Sequence, residues 1–219
     1  ALDILGLSKS VYEQVNEQIK DLTESLEFHP HIFKLLKQQA DENDYIQSHS
    51  IMVLHLSTHL LHKLNLYNPQ KGRKLAIASL LHDIALDDPR LAQVDSPEHH
   101  ESLTREEKKK IYQHIDRAEE LATQIIKPGE EEVLTILRQH HERPDGAGFP
   151  RGLDFKKMAV MTAIFILSHE VVCYLFRTGF NFLNIKEHFE GFPEEYRRGS
   201  FQRPYEEIIK MLEKANADH

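Results

Sequence analysis

Six residues carry the clearest chemical signal: His49, the pair His82-Asp83, His114 and the pair His140-His141. Imidazole nitrogens suit Zn, Fe, Mn or Ni, and one carboxylate can bridge two ions. Several histidines with a single aspartate therefore suit two transition-metal ions, with Asp83 as the bridge. A finger-type zinc site is excluded, because Cys173 is the only cysteine. Histidine occurs 15 times, spread along the chain rather than gathered as a tag.

The elements that must position these side chains read as helices. Val11, Val15, Ile19 and Leu22 recur every three or four residues, giving a first amphipathic helix. A short second helix over residues 31–39 opens after Pro30. A long third one runs from Tyr45 to Leu64, carrying His49. Asn68, Pro69 and Gly72 break the pattern, and Leu75 to Ile84 then reads as a buried central helix. His82 and Asp83 stand at its end. Helix neighbours differ by about 100°, so both reach one cavity only along the edge between their faces. A charged Asp ending so apolar a helix is costly unless it is paired or metal-bound.

Thr104 with Glu107 is a capping-box pattern that opens a helix through Ile125, carrying His114. Pro128-Gly129 ends that helix. The stretch from Glu131 to His141 is the next one. Residues 143–152 must form a loop. Asp154 is expected to cap a long apolar helix through Phe176. Residues 177–202 look irregular, and Tyr205 to Leu212 forms a final helix. No strand is convincing, so the fold class is all-α.

Composition narrows the function classes. The chain has 219 residues, 40% hydrophobic and 28% charged, enough for a packed core. Its net charge of −8 argues against broad DNA or RNA binding. A small anionic substrate stays compatible, because a metal site dominates its own local field. A single cysteine fits a cytoplasmic setting. No uninterrupted apolar run reaches the roughly 18 residues of a membrane span; the longest, from Met158 to Phe176, contains His169 and Glu170.

These residues resemble a known family. His82-Asp83 after Ala76-Ile77-Ala78-Ser79-Leu80-Leu81 resembles the HD motif of the HD superfamily of metal-dependent phosphohydrolases. The segment from His140 to Pro150, HHERPDGAGFP, is similar to the signature of the HD-GYP subfamily, which hydrolyses cyclic di-GMP in bacterial signalling. The likeness covers residues 41 to 172. It implies an HD-type helical bundle with a metal site between helices. The domain would occupy 41–219, with an insertion at 177–201 that loops out as a lid or partner surface. Residues 1–40 would form a helical segment or linker.

The resemblance also implies site roles. One ion would take His49, His82 and Asp83; the other would take Asp83, His114, His140 and His141. His169 falls where the family has a ligand Asp, and is either a seventh ligand or a packed helix histidine. The ions would be Fe first, Mn next. Asp83 and Arg143 are the catalytic candidates. Arg143, Gly146, Gly148, Phe149 and Arg203 are the substrate-facing ones, although a surface salt bridge explains Arg143 equally well. Asp145 reads as a turn cap. The substrate would be cyclic di-GMP or a related small nucleotide.

Several positions depart from that family. Leu86 stands where a phosphate-contacting Lys is expected, a change that could cost on the order of 10²–10³ in rate. Phe149 replaces the Tyr of Gly-Tyr-Pro. Tyr45 replaces a Glu that supports a third ion in some members, so two ions are expected. Arg203-Pro204-Tyr205 resembles a phosphate-binding group, but lies far beyond His169. A slow or retired enzyme, binding a nucleotide or docking a signalling protein through the Gly148-Phe149-Pro150 loop, is the alternative. A di-iron oxygenase is a third class.

Overall fold

The computed structural model describes residues 9–24, 31–41, 44–86, 88–94, 101–182 and 184–217. Among them the regular structure is helical, with no strand. The helices are α1 (Lys9–Glu24), α2 (Ile32–Gln39), α3 (Tyr45–Lys63), α4 (Pro69–Leu81), α5 (Pro89–Ala92), α6 (Arg105–Ile125), α7 (Glu132–Gln139), α8 (Val160–Arg177), α9 (Ile185–Glu190) and α10 (Gln202–Ala217).

Local chemistry explains the main boundaries. Asn68 accepts the amide of Lys71, and Pro69 sits in the first turn, so the residues that break α3 also open α4. Thr104 and Glu107 form the full reciprocal capping box on α6. Gly129, at φ +90°, makes the turn that follows α6.

α3 packs between α4 and α8, and α7 bridges α4 and α6. One core joins Met52, Leu56 and Leu60 of α3, Leu75 and Ile77 of α4, Val133 and Leu137 of α7, and Ile164, Phe165 and Leu167 of α8. A smaller cluster gathers Tyr45, Leu86, Leu91, Ala92, Leu103, Ile111, Ile115 and Phe149. α8 is long and apolar enough to cross a membrane, and 72% of it is buried inside this fold.

Four expectations are corrected. The described residues of 1–40 are helical, and they do not stand apart as a linker: Ile19 of α1 and Ile32, Phe33 and Leu36 of α2 belong to the main core. Arg73 of α4 also donates to Asn16 of α1. The segment 177–201 does not loop out, because its aromatic residues outweigh its glycines. Phe189, Tyr196 and Phe201 are fully buried in the same core. Asp154 caps only a 3-10 turn over Phe155–Lys157. Met158 and Ala159 are extended, which delays α8 to Val160. Finally, α4 stops at Leu81, so Ile84 turns outward and is 51% exposed. His99 and His100 lie outside the described residues.

Candidate metal centre

Five helices deliver the seven candidate ligands. His49 lies one turn into α3, His82 caps the C-terminus of α4, and Asp83 follows in the turn. His114 sits midway along α6, His140 caps α7 with His141 next, and His169 lies inside α8. None of the seven is more than 4% exposed.

Their donor atoms fall into two groups. His49, His82, Asp83 and His169 form one; Asp83, His114, His140 and His141 form the other. Within each group the donor atoms lie within 4.8 Å of one another, and Asp83 belongs to both. His82 Nε2 is 3.4 Å from Asp83 Oδ2, while His114 Nε2 is 3.6 Å and His140 Nε2 4.0 Å from Oδ1.

The hydrogen bonds fix which nitrogen faces inward. His82 Nδ1 lies 2.8 Å from the Ser79 carbonyl, and His140 Nδ1 2.7 Å from that of Leu137. His114 Nδ1 makes the same contact with the Ile111 carbonyl. A carbonyl only accepts, so each Nδ1 must donate and each Nε2 presents a lone pair. His114 Nε2 and His140 Nε2 then face each other at 3.2 Å, two lone pairs with no proton between them. Both oxygens of Asp83, His49 Nε2 and His82 Nε2 lack hydrogen-bond partners although buried. Buried polar atoms left this way cost free energy. A shared cation is the group that would satisfy them all.

Burial also keeps the imidazoles neutral. It lowers the pKa of His49, His140, His141 and His169 well below the usual value, and that of His114 less far. His82 falls to about 4, again through burial, against the raising effect of its Ser79 bond. Burial pushes Asp83 up to about 6, opposed by the nearby His114. Neutral imidazole is the ligating form.

The loop after His141 is built against the centre. A Cβ on Gly148 would lie 2.3 Å from Arg143 N and 2.5 Å from the His141 carbonyl oxygen, so only glycine fits. Gly146 holds φ +79° at the turn, where Asp145 accepts the amide of Ala147. Phe149 stacks on His141. Glu142, which stands in the motif without an expected role, is fully buried and accepts the amides of Arg151 and Leu153 at 2.8 Å each. A charged residue between a ligand pair and a tight loop was its only sequence signal.

The substrate-facing candidates divide. Arg143 turns toward Asp145, 3.9 Å away, and lies beside Tyr196, whose hydroxyl donates to Glu170 at 3.5 Å. Arg203 is corrected. It donates to the Leu64 carbonyl at 3.5 Å, because the first turn of α10 sits over the end of α3, where helix carbonyls lack partners. Leu64 is about 22 Å along α3 from His49 at 1.5 Å per residue. Leu86 is buried in the smaller apolar cluster. Of the α3 histidines outside the centre, His59 is buried and His62 stacks on Tyr67 at 4.0 Å.

No curated protein and no solved structure matches the chain. Among protein families, residues 12–166 match the HD domain. That span covers most of the chain and includes every candidate ligand except His169. An HD domain around a buried His/Asp cluster points to a metal-dependent phosphohydrolase. The chain belongs to the HD-domain family.

Proposed function

We propose that the protein is a binuclear phosphodiesterase of the HD-GYP kind, acting on cyclic di-GMP or a related small nucleotide, and slow because it lacks the phosphate-contacting lysine. The observation that carries this reading is the sharing of Asp83 between two groups of buried imidazoles. His49, His82, Asp83 and His169 would hold one ion, and Asp83, His114, His140 and His141 the other. Fe suits the histidine-rich set first and Mn second. Bound there, such ions supply Lewis-acid polarisation of a phosphoryl group and an activated water at neutral pH.

The chain's own residues orient and exclude. The carbonyls of Ser79, Ile111 and Leu137 hold three imidazoles in one tautomer. Phe149 covers His141 on one face. Arg143, beside Tyr196 and Asp145, would offer a cation to a phosphate at the loop. Leu86 supplies no charge where a lysine would contact the scissile phosphate, and it is buried against Tyr45 and Ile111. That favours slow turnover, and it supports a second reading in which the centre binds a nucleotide without hydrolysing it.

Protein loaded with Fe or Mn under reducing conditions, incubated with cyclic di-GMP, is expected to release the linear dinucleotide or GMP. Saturable binding with no product supports the second reading. Neither binding nor product removes both.

A further inference from the structure

A second concavity lies at the opposite end of α3 from the metal centre. A cleft of about 580 Å3 opens between the start of α2, the last turn of α3 and the end of α10. Its volume falls in the range that holds small organic ligands. Five lysines line it: Lys34 and Lys37 from α2, Lys63 from α3, and Lys210 and Lys214 from α10.

Two carboxylates also line the cleft, and both are engaged. Glu207 pairs with Lys210 at 3.5 Å. Glu213 pairs at 3.0 Å with Lys186, which lies outside the lining. Five ammonium groups against two carboxylates leave an excess of three positive charges. On a chain of net charge −8, that concentrates a positive field in one concavity. The α2 N-terminus adds the positive end of its dipole, and the His31 side chain does not cap it. The floor is apolar, formed by Ile32, Phe33 and Met211.

We propose that this cleft binds a small organic polyphosphate of nucleotide size, phosphates toward the lysines and the organic part on Phe33 and Met211. A single carboxylate would leave most of the charge unmatched; a polyphosphate meets it on three walls. The site is separate from the metal centre. His59 in the cleft is about 15 Å along α3 from His49 at 1.5 Å per residue.

The test is a titration of the full chain with a fluorescent ATP analogue, followed by anisotropy at two salt concentrations. Saturable binding is expected, weakened by salt. The Lys34→Glu/Lys214→Glu double variant should bind about tenfold more weakly or worse. Both lysines are exposed, so its circular dichroism and unfolding midpoint should match the parent. His140→Ala should bind within about twofold of the parent, since it touches only the other site. Unlabelled ATP should displace the probe at lower concentration than pyrophosphate. Absence of saturable binding overturns the proposal. So does parental affinity in the double variant, loss of binding in His140→Ala, or equal displacement by pyrophosphate.

Discussion

Phe149 lies face to face with His141, ring centroids 4.4 Å apart and planes 15° from parallel. The loop aromatic is thus the wall of a candidate ligand, and it also contacts Tyr112 at 5.2 Å. Replacing it with Ala opens a void beside His141. Phe149→Ala should cost about 3 kcal/mol by chemical denaturation and lower the metal content of purified protein. Phe149→Tyr keeps the ring and should hold its metal. Unchanged metal content in the alanine variant would show that the stacking does not position His141.

Gly148→Ala should be worse than its single methyl suggests. The added carbon meets the backbone of His141, Glu142 and Arg143, none of which can swing aside as a side chain can. A loss of about 3 kcal/mol is expected. Elemental analysis should show depleted metal in whatever fraction folds. A variant with parental stability and metal sinks the steric account.

Restoring the missing lysine should fail to restore activity. Leu86 is enclosed by Leu91, Leu103, Ile115 and their neighbours, so a lysine there must bury or uproot its charge. Leu86→Lys is expected to lower the unfolding midpoint without accelerating release of product. Faster turnover in that variant would mean that the side chain reaches the centre.

The sharing of Asp83 predicts an asymmetry in metal retention. His49→Ala or His141→Ala removes a ligand from one group only and should lower metal content by about half. Asp83→Ala removes a ligand from both and should abolish it. Equal retention across the three variants, measured per chain, would contradict two ions sharing one carboxylate.

Glu107 offers a pH test away from the centre. Its bonds to Arg90 and to the Thr104 cap hold its pKa down to about 2. The folded value lies below the unfolded one, so its stabilising effect is complete above about pH 4.5 and fades as pH falls toward 2. Glu107→Gln should therefore be less stable than the parent at pH 6, and the gap should narrow below about pH 4.5 and close only near pH 2. A gap independent of pH would place the effect in packing.

The candidate cluster was legible because metal chemistry restricts residue type more tightly than packing does. A core position accepts any apolar side chain of the right volume, whereas an ion needs a lone pair at a fixed place. His82-Asp83 after an apolar run and His140-His141 before a glycine-rich loop put polar groups where packing alone would not keep them. The expectations that failed share one cause, local pattern taken without tertiary context. Arg203-Pro204-Tyr205 has a suggestive composition, yet the register of α10 carries its arginine to the far end of α3. Gly179, Gly191, Pro193 and Gly199 suggest a loop at 177–201. Phe189, Tyr196 and Phe201 are what hold that segment down, and their common core is invisible to a linear scan. Glu142 failed to stand out because its partners are backbone amides, which carry no sequence signature.

The three carbonyl contacts behind His82, His114 and His140 span three residues each, all within the turn that carries the histidine. The ring's support is thus the main chain itself and travels with it. Side chains around these ligands are free to drift without loosening them, and the residue each Nδ1 leans on can change identity at no cost. What such a centre does not tolerate is a change in helical phase. One residue inserted or deleted in a ligand-bearing turn would rotate the imidazole by about 100° and take its anchor along.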